Sequence, residues 1–232
     1  TRHLGSIYEH LLDFHLNVKN NKIAELPDPE ERKQTGSYYT PPQIVAFCVE
    51  KIIGKLIDDI NSENIDNDSK IEKILSLKIL DPAMGSGHFL VGAVDYIAKR
   101  LCMIESEDFS EIELVERKRD VVRRCIYGVD KNKLAVDLAR LSLWLETISS
   151  NKPLSFLSAH LKHGNSLAGA KFEDILDPQQ TLVESISQTH LKKVVKDFIG
   201  FETLEDDTSS AVKAKLEKYK KNYKKVGQNK NI

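Results

Sequence analysis

Asp81-Pro82-Ala83-Met84-Gly85-Ser86-Gly87-His88-Phe89-Leu90 is the stretch that decides the fold. It follows the short segment Lys78-Ile79-Leu80. After it, apolar residues recur at helical spacing: Phe89, Leu90, Val91, Ala93, Val94, Ile97, Ala98 and Leu101. The pattern predicts a strand, a glycine-rich turn and a helix start. Such a turn lets backbone N–H groups and a helix N-terminus approach a ligand closely.

Two further strand ends stand downstream. Cys125-Ile126-Tyr127-Gly128-Val129-Asp130 predicts a buried strand closing on an acid, followed by a helix through Leu134, Leu138, Leu141 and Leu145. His160 to Leu167 predicts a third, weaker strand and turn at Gly164-Asn165. Strand, helix, strand, helix, strand is the pattern of a parallel sheet with crossover helices. Ligands in such sheets bind at the carboxyl ends of the strands, where all three endings fall.

The residue types narrow the ligand. No Lys follows Gly87, as a Walker phosphate loop would require, and the third glycine of a dinucleotide fingerprint is replaced by Leu90. A G-x-S-x-G nucleophile elbow is absent. The remaining class is a nucleoside without a pyrophosphate. Asp81 can accept from an ammonium group and Asp130 from ribose hydroxyls, so a cationic amino acid joined to a nucleoside fits.

Upstream, Leu4 to Leu12 predicts a helix, and Asn20 to Gln34 a loop. Thr40-Pro41-Pro42-Gln43 has the form of a helix start, with Thr40 as cap. Ile44, Val45, Phe47, Cys48, Ile52, Ile53, Leu56, Ile57 and Ile60 then predict one continuous apolar face. Residues 105–119 predict a charged outer helix. Beyond Phe172 two helical patterns follow, near Leu182–Phe198 and Ala211–Tyr223, the second rich in lysine. The expected division is therefore 1–34, 35–170 and 171–232.

Composition sets the frame. The 232 residues are 41% hydrophobic and 30% charged, with a formal net charge of −1, which fits a globular protein and excludes collagen-like or wholly disordered classes. Cys48, Cys102 and Cys125 form no C-x-x-C pair and read as buried thiols of a reducing cytoplasm. No signal peptide or membrane span is expected. His160 and His163 lack partners at ligand spacing, so no metal site is expected.

The ordered motifs resemble those of the S-adenosylmethionine-dependent N6-adenine DNA methyltransferases of restriction-modification and phage-defence systems. Thr35 to Pro41 resembles the leading cofactor motif, Asp81 to Leu90 the central loop, Gly128-Val129-Asp130 the ribose motif, and Leu161 to Leu167 the adenine-side motif. The resemblance implies a Rossmann-like α/β methyltransferase sheet, here its first three parallel strands with flanking helices and helical terminal segments. It implies that Tyr39 and Thr40 contact the methionine moiety, with Asp81, Pro82, Ala83, Gly85 and Gly87 lining it. Asp130 would hold the ribose, and Asn165 would face the adenine, where the family often has Asp.

One family motif is absent. These enzymes use an [N/D/S]-P-P-[Y/F/W] segment to grip a flipped adenine, and no such segment occurs in the sequence. Thr40-Pro41-Pro42-Gln43 lacks both the polar acceptor and the aromatic ring. The chain therefore reads as the donor-binding portion of an enzyme, from a truncated gene or a split protein, with double-stranded DNA as the full enzyme's partner. The missing neighbour of the Asp81 strand predicts an open edge and self-association. The rival readings are a non-catalytic donor-binding module, a protein or RNA methyltransferase, and a nicotinamide dehydrogenase.

Overall fold

The computed structural model describes residues 40–106, 108–149, 152–168, 204 and 206–227, together with two strand segments nearer the N-terminus. Those strands are β1 (Phe14–Lys19) and β2 (Lys22–Pro27), paired antiparallel with Lys19 opposite Lys22. The loop expected from Asn20 is thus in part a strand. Charged residues hid it, yet only Asn20 and Asn21 separate the paired lysines. The helix expected over Leu4–Leu12 and that near Leu182–Phe198 lie outside the described residues.

The main sheet is parallel, in the order β3 (Ile79–Asp81), β4 (Ile126–Asp130), β5 (Leu161–His163). Asp81 pairs with Gly128, and Asp130 with His163. This is the open α/β sheet expected of a partial Rossmann-like methyltransferase, with β3 at one edge among the described residues. Between β3 and β4 run α4 (His88–Glu105) and α5 (Glu111–Arg124); α6 (Lys133–Glu146) joins β4 to β5. α3 (Asn67–Ser76) precedes β3 and contributes the buried Ile71, Ile74 and Leu75.

The first helix shows how a repeat of four is accommodated. α1 (Pro42–Val49) passes through a π turn, Glu50–Gly54, into α2 (Lys55–Asn61). Val45, Val49, Ile53 and Ile57 are buried at steps of four. That spacing drifts around a 3.6-residue helix, and the wider π turn offsets part of the drift. The neighbouring row is not in the core: Ile44, Ile52 and Leu56 are exposed, as is Phe47, and Cys48 is half-buried. The single apolar face expected from sequence is therefore two rows, one buried and one largely exposed. Thr40 does not cap the helix either; Pro41 occupies the cap position without a side-chain bond.

The core joins that buried row to α4 and α6 and to the sheet. Leu90, Val94, Ile97, Leu101, Ile126, Leu143 and Leu161 are fully buried. Val121 and Val122 of α5 join them, so the charged helix is not wholly external. It begins with a complete capping box between Ser110 and Glu113. Its Lys118 lies between Asp95 of α4 and Glu146 of α6, each 2.9 Å away, and ties three helices together. Burial alone would lower the Lys118 ammonium pKa, but the two carboxylates outweigh it and hold it above its ordinary value. Asp95 is held below the usual carboxylate range by Lys99 and Lys118, against the opposing effect of burial.

α7 (Ser209–Gly227) packs back on this body. The phenol of Tyr219 bonds Lys162 of β5, and its ring meets Phe156 edge-on at 5.4 Å.

Candidate functional site

The three strand ends meet at the carboxyl edge of the sheet because parallel pairing sets them side by side. β3 stops at Asp81, whose Oδ1 accepts from the Ala83 N–H at 3.0 Å and turns the chain. Met84 N–H then donates to Val129 O at 3.0 Å, and Gly87 N–H to Met84 O at 2.8 Å. Gly85 and Gly87 have φ of 54° and 87°, the left-handed region where a side chain is strained. Gly87 is the cap residue of α4, so the helix N-terminus opens directly from the turn.

The two glycines do different work. A Cβ on Gly85 would meet nothing within 4 Å, so its backbone faces open space that a ligand can enter. A Cβ on Gly87 would lie 3.1 Å from that of Ala139, so this glycine brings α4 against α6.

Asp130 is the hub. Its Oδ2 accepts from the Gly85 N–H at 2.8 Å and its Oδ1 from the Asn132 N–H at 2.7 Å. Its backbone carbonyl accepts from the Gly164 N–H at 2.9 Å. One residue therefore joins the glycine turn, the start of α6 and the third strand end. Asn132, a residue not singled out from sequence, caps α6 through its side chain to Leu134 N–H.

Asp81 and Asp130 face one another electrostatically. Burial raises the Asp81 carboxyl pKa above its ordinary value and the Asp130 charge raises it further, while the Ala83 N–H opposes both. A cation placed between the two acids would relieve that repulsion. An ammonium group suits the place; a phosphate does not.

At the third strand end, Asn165 is exposed and its Oδ1 accepts from the Leu167 N–H at 3.0 Å, closing its own turn. A second lone pair on that oxygen remains for a donor. Ser166 was also not singled out, yet its Oγ donates to Pro82 O at 2.8 Å and fastens the turn to the glycine loop. Its only sequence signal is its place directly after Asn165. Thus Asp81, Pro82, Ala83, Gly85, Gly87, Asp130 and Asn165 come together. Thr40 is half-buried at the start of α1, whose Pro42 shares a cleft of about 390 Å³ with His88 of α4. Tyr39 lies outside the described residues.

Other groups have local explanations. His160 stacks on Tyr127 at 4.7 Å, with Nδ1 2.8 Å from Ile126 O. Trp144 donates to Ser155 O at 2.8 Å. Among the described residues no group of three His, Cys, Asp or Glu side chains is placed to hold a metal ion.

Comparison with known proteins bears on this geometry. The family model described as N-6 DNA Methylase matches residues 2–186. A protein of Methanocaldococcus jannaschii, named for a type II restriction enzyme and methyltransferase, is 30% identical over 206 residues, covering 72% of this chain and 16% of its own length. The type II restriction enzyme and methyltransferase of Escherichia coli is 29% identical over 195 residues, covering 74% of this chain and 19% of its own. The adenine-specific methyltransferase PglX of Streptomyces coelicolor is 24% identical over 151 residues, covering 65% of this chain and 10% of its own. The chain spans less than a fifth of the length of each.

Proposed function

We propose, given that this chain belongs to the N-6 DNA methylase family, that its strand ends form the S-adenosylmethionine site of an N6-adenine DNA methyltransferase of restriction-modification type. The observation that carries the reading is the hydrogen-bonded union of three strand ends: Asp130 to Gly85, Asp130 to Gly164, and Ser166 to Pro82.

The residues fit the donor. Open space over Gly85 admits a ligand against the backbone. Asp81, repelled by Asp130, favours a neighbouring cation such as an amino acid ammonium. Asp130 spends one lone pair of each oxygen on the fold, and a carboxylate has about four such positions, so ribose hydroxyls can still be accepted. When bound, the donor supplies an activated methyl group on a sulfonium. The chain's own work is to hold and orient it. Asp81, Pro82, Ala83, Gly85 and Gly87 form the methionine side, with Tyr39 and Thr40. Asp130 takes the ribose, and Asn165 borders the base.

The sequence carries no [N/D/S]-P-P-aromatic segment. A flipped adenine needs an acceptor for its amino group and a stacking ring. This chain by itself is therefore proposed to bind the donor without transferring the methyl group. The proposed partner of the whole enzyme is double-stranded DNA, and its proposed compartment is the cytoplasm. The described residues include no helix long and apolar enough to cross a membrane. The edge of β3 that carries no strand among the described residues is proposed as a site of self-association.

Calorimetric titration with S-adenosylmethionine and, separately, with NAD tests the donor assignment. Saturable binding of the first alone is expected; preference for NAD would overturn it. Incubation with labelled donor and adenine-containing duplex is expected to leave the duplex unlabelled. Label reaching RNA or protein instead would favour the rival acceptor classes.

A further inference from the structure

We propose that the exposed lysine face of α7 is a docking surface for the phosphate backbone of duplex DNA. This rests on the methyltransferase reading and adds the surface by which this portion of the enzyme meets its substrate.

The charge of the chain is segregated. The whole sequence has a net charge of −1, yet residues 209–227 hold seven lysines against one glutamate. That helix therefore carries six net positive charges, and the remainder carries seven net negative ones. A net-neutral protein built this way presents a local attractive potential to a polyanion.

The helix is divided by face. Lys215 and Asn222 are buried toward the body, and Lys215 donates to Leu204 O at 3.0 Å. Lys213, Lys220 and Lys221 are exposed. With Glu217, Lys218 and Ala214 they make a face without a large apolar residue. A helix that lies in a lipid surface, or in a hydrophobic groove, needs such residues on its binding face. Lysines alone suit phosphates, which they contact without reading sequence.

The helix is held rather than tethered. Asp206, three residues before it, is buried; its Oδ2 accepts from Phe156 N–H at 3.2 Å, and Arg119 Nη2 lies 3.9 Å from its Oδ1. Arg119 is itself buried and donates to Thr147 O. Further along, Lys162 of β5 bonds the Tyr219 hydroxyl and lies 4.5 Å above the ring centroid. Lys162 is three residues before Asn165, so the lysine face is fixed to the strand that ends at the base side of the proposed donor site. A rigid, pre-oriented charged face loses little freedom on binding.

Fluorescence polarisation of a labelled mixed-sequence duplex, measured from about 50 to 200 mM salt, tests the proposal on the chain carrying Lys213→Gln, Lys220→Gln and Lys221→Gln together. Affinity is expected to fall at least about tenfold. The logarithmic salt slope is expected to lose about 0.9 per abolished contact, so about 2 to 3 in all. A control carrying Lys51→Gln, Lys55→Gln and Lys70→Gln loses the same charge and is expected to retain the wild-type slope. An unchanged slope in the α7 variant, an equal loss in the control, no duplex binding by the wild type, or preference for an RNA duplex would each overturn the proposal. Titration of the same samples with S-adenosylmethionine separates the two claims. Donor binding with an unaltered DNA slope defeats only the lysine face, whereas failure to bind donor defeats the methyltransferase reading.

Discussion

The carboxylate of Asp130 accepts the backbone N–H of Gly85 at 2.8 Å, across 45 residues of sequence. The acid proposed to hold the ribose thus also sets the shape of the glycine turn proposed to hold the methionine. That hydrogen bond links the two halves of the proposed site directly.

Gly85→Ala separates these roles. The added methyl meets nothing in the protein, so the cost to stability is the left-handed φ alone, about 1 kcal/mol. The same methyl projects into the space assigned to the donor. Urea unfolding is expected to show this small loss, and calorimetry at least about a tenfold loss of donor affinity, or 1.4 kcal/mol.

Asp81→Asn is expected to weaken donor binding without weakening the fold. The raised pKa of Asp81 means that the native state takes up a proton more readily than the unfolded chain. Its contribution to stability is therefore full below the ordinary carboxylate value and is lost as pH rises through the raised value. At neutral pH the ionised group opposes folding, and Asn removes that charge while its oxygen can still accept from Ala83 N–H. Thermal unfolding near pH 7 should give a Tm equal to or above wild type. Donor affinity of the wild type should decline as pH falls through the raised pKa, and that decline should vanish in the variant.

Lys118→Met tests the clamp behind the site. It leaves Asp95 and Glu146 facing each other without the shared ammonium. Breaking a fully buried pair costs about 3–5 kcal/mol; here about 2 kcal/mol is expected, because Asp95 is 35% exposed and also has Lys99. Asp95 is held below the usual carboxylate range, so its stabilisation is present above the unfolded value and lost as pH falls through the lowered one. The acid limb of a stability–pH profile should be shallower in the variant.

The edge of β3 gives a prediction about assembly. Leu80 is 59% exposed there and borders an apolar groove with Cys48, Ile52, Leu56 and Phe89. Unpaired strand edges beside apolar surface recruit further strands. Sedimentation velocity should show concentration-dependent association of the wild type and a monomer for Leu80→Lys. A wild-type monomer at high concentration would contradict association through this edge.

The sequence exposed the parts of the site that the backbone dictates. Gly85 and Gly87 stand at positive φ, and Asp81 and Asp130 end strands whose lengths their apolar neighbours define. Less was legible where chemistry depends on distant partners. Ser166 meets Pro82 across 84 residues, and no local pattern announces it. Asn165 closes its own turn, which its residue type allowed but did not require. The two rows of the first helix, Val45 to Ile57 inside and Ile44 to Leu56 outside, are equally apolar. Only the packing of α1 on α4 decides which row is covered. The strand pair Phe14–Lys19 and Lys22–Pro27 was obscured by its lysines and glutamate. The lysines of α7 were visible at once, but the anchor that fixes their direction, Asp206 against Arg119, was not.

Calorimetric titration of S-adenosylmethionine into the wild-type chain and into Asp130→Ala tests the donor site most directly. One saturable site is expected in the wild type and at least about a tenfold weaker one, 1.4 kcal/mol or more, in the variant. No binding by the wild type, or equal affinity in the two proteins, would contradict the donor assignment.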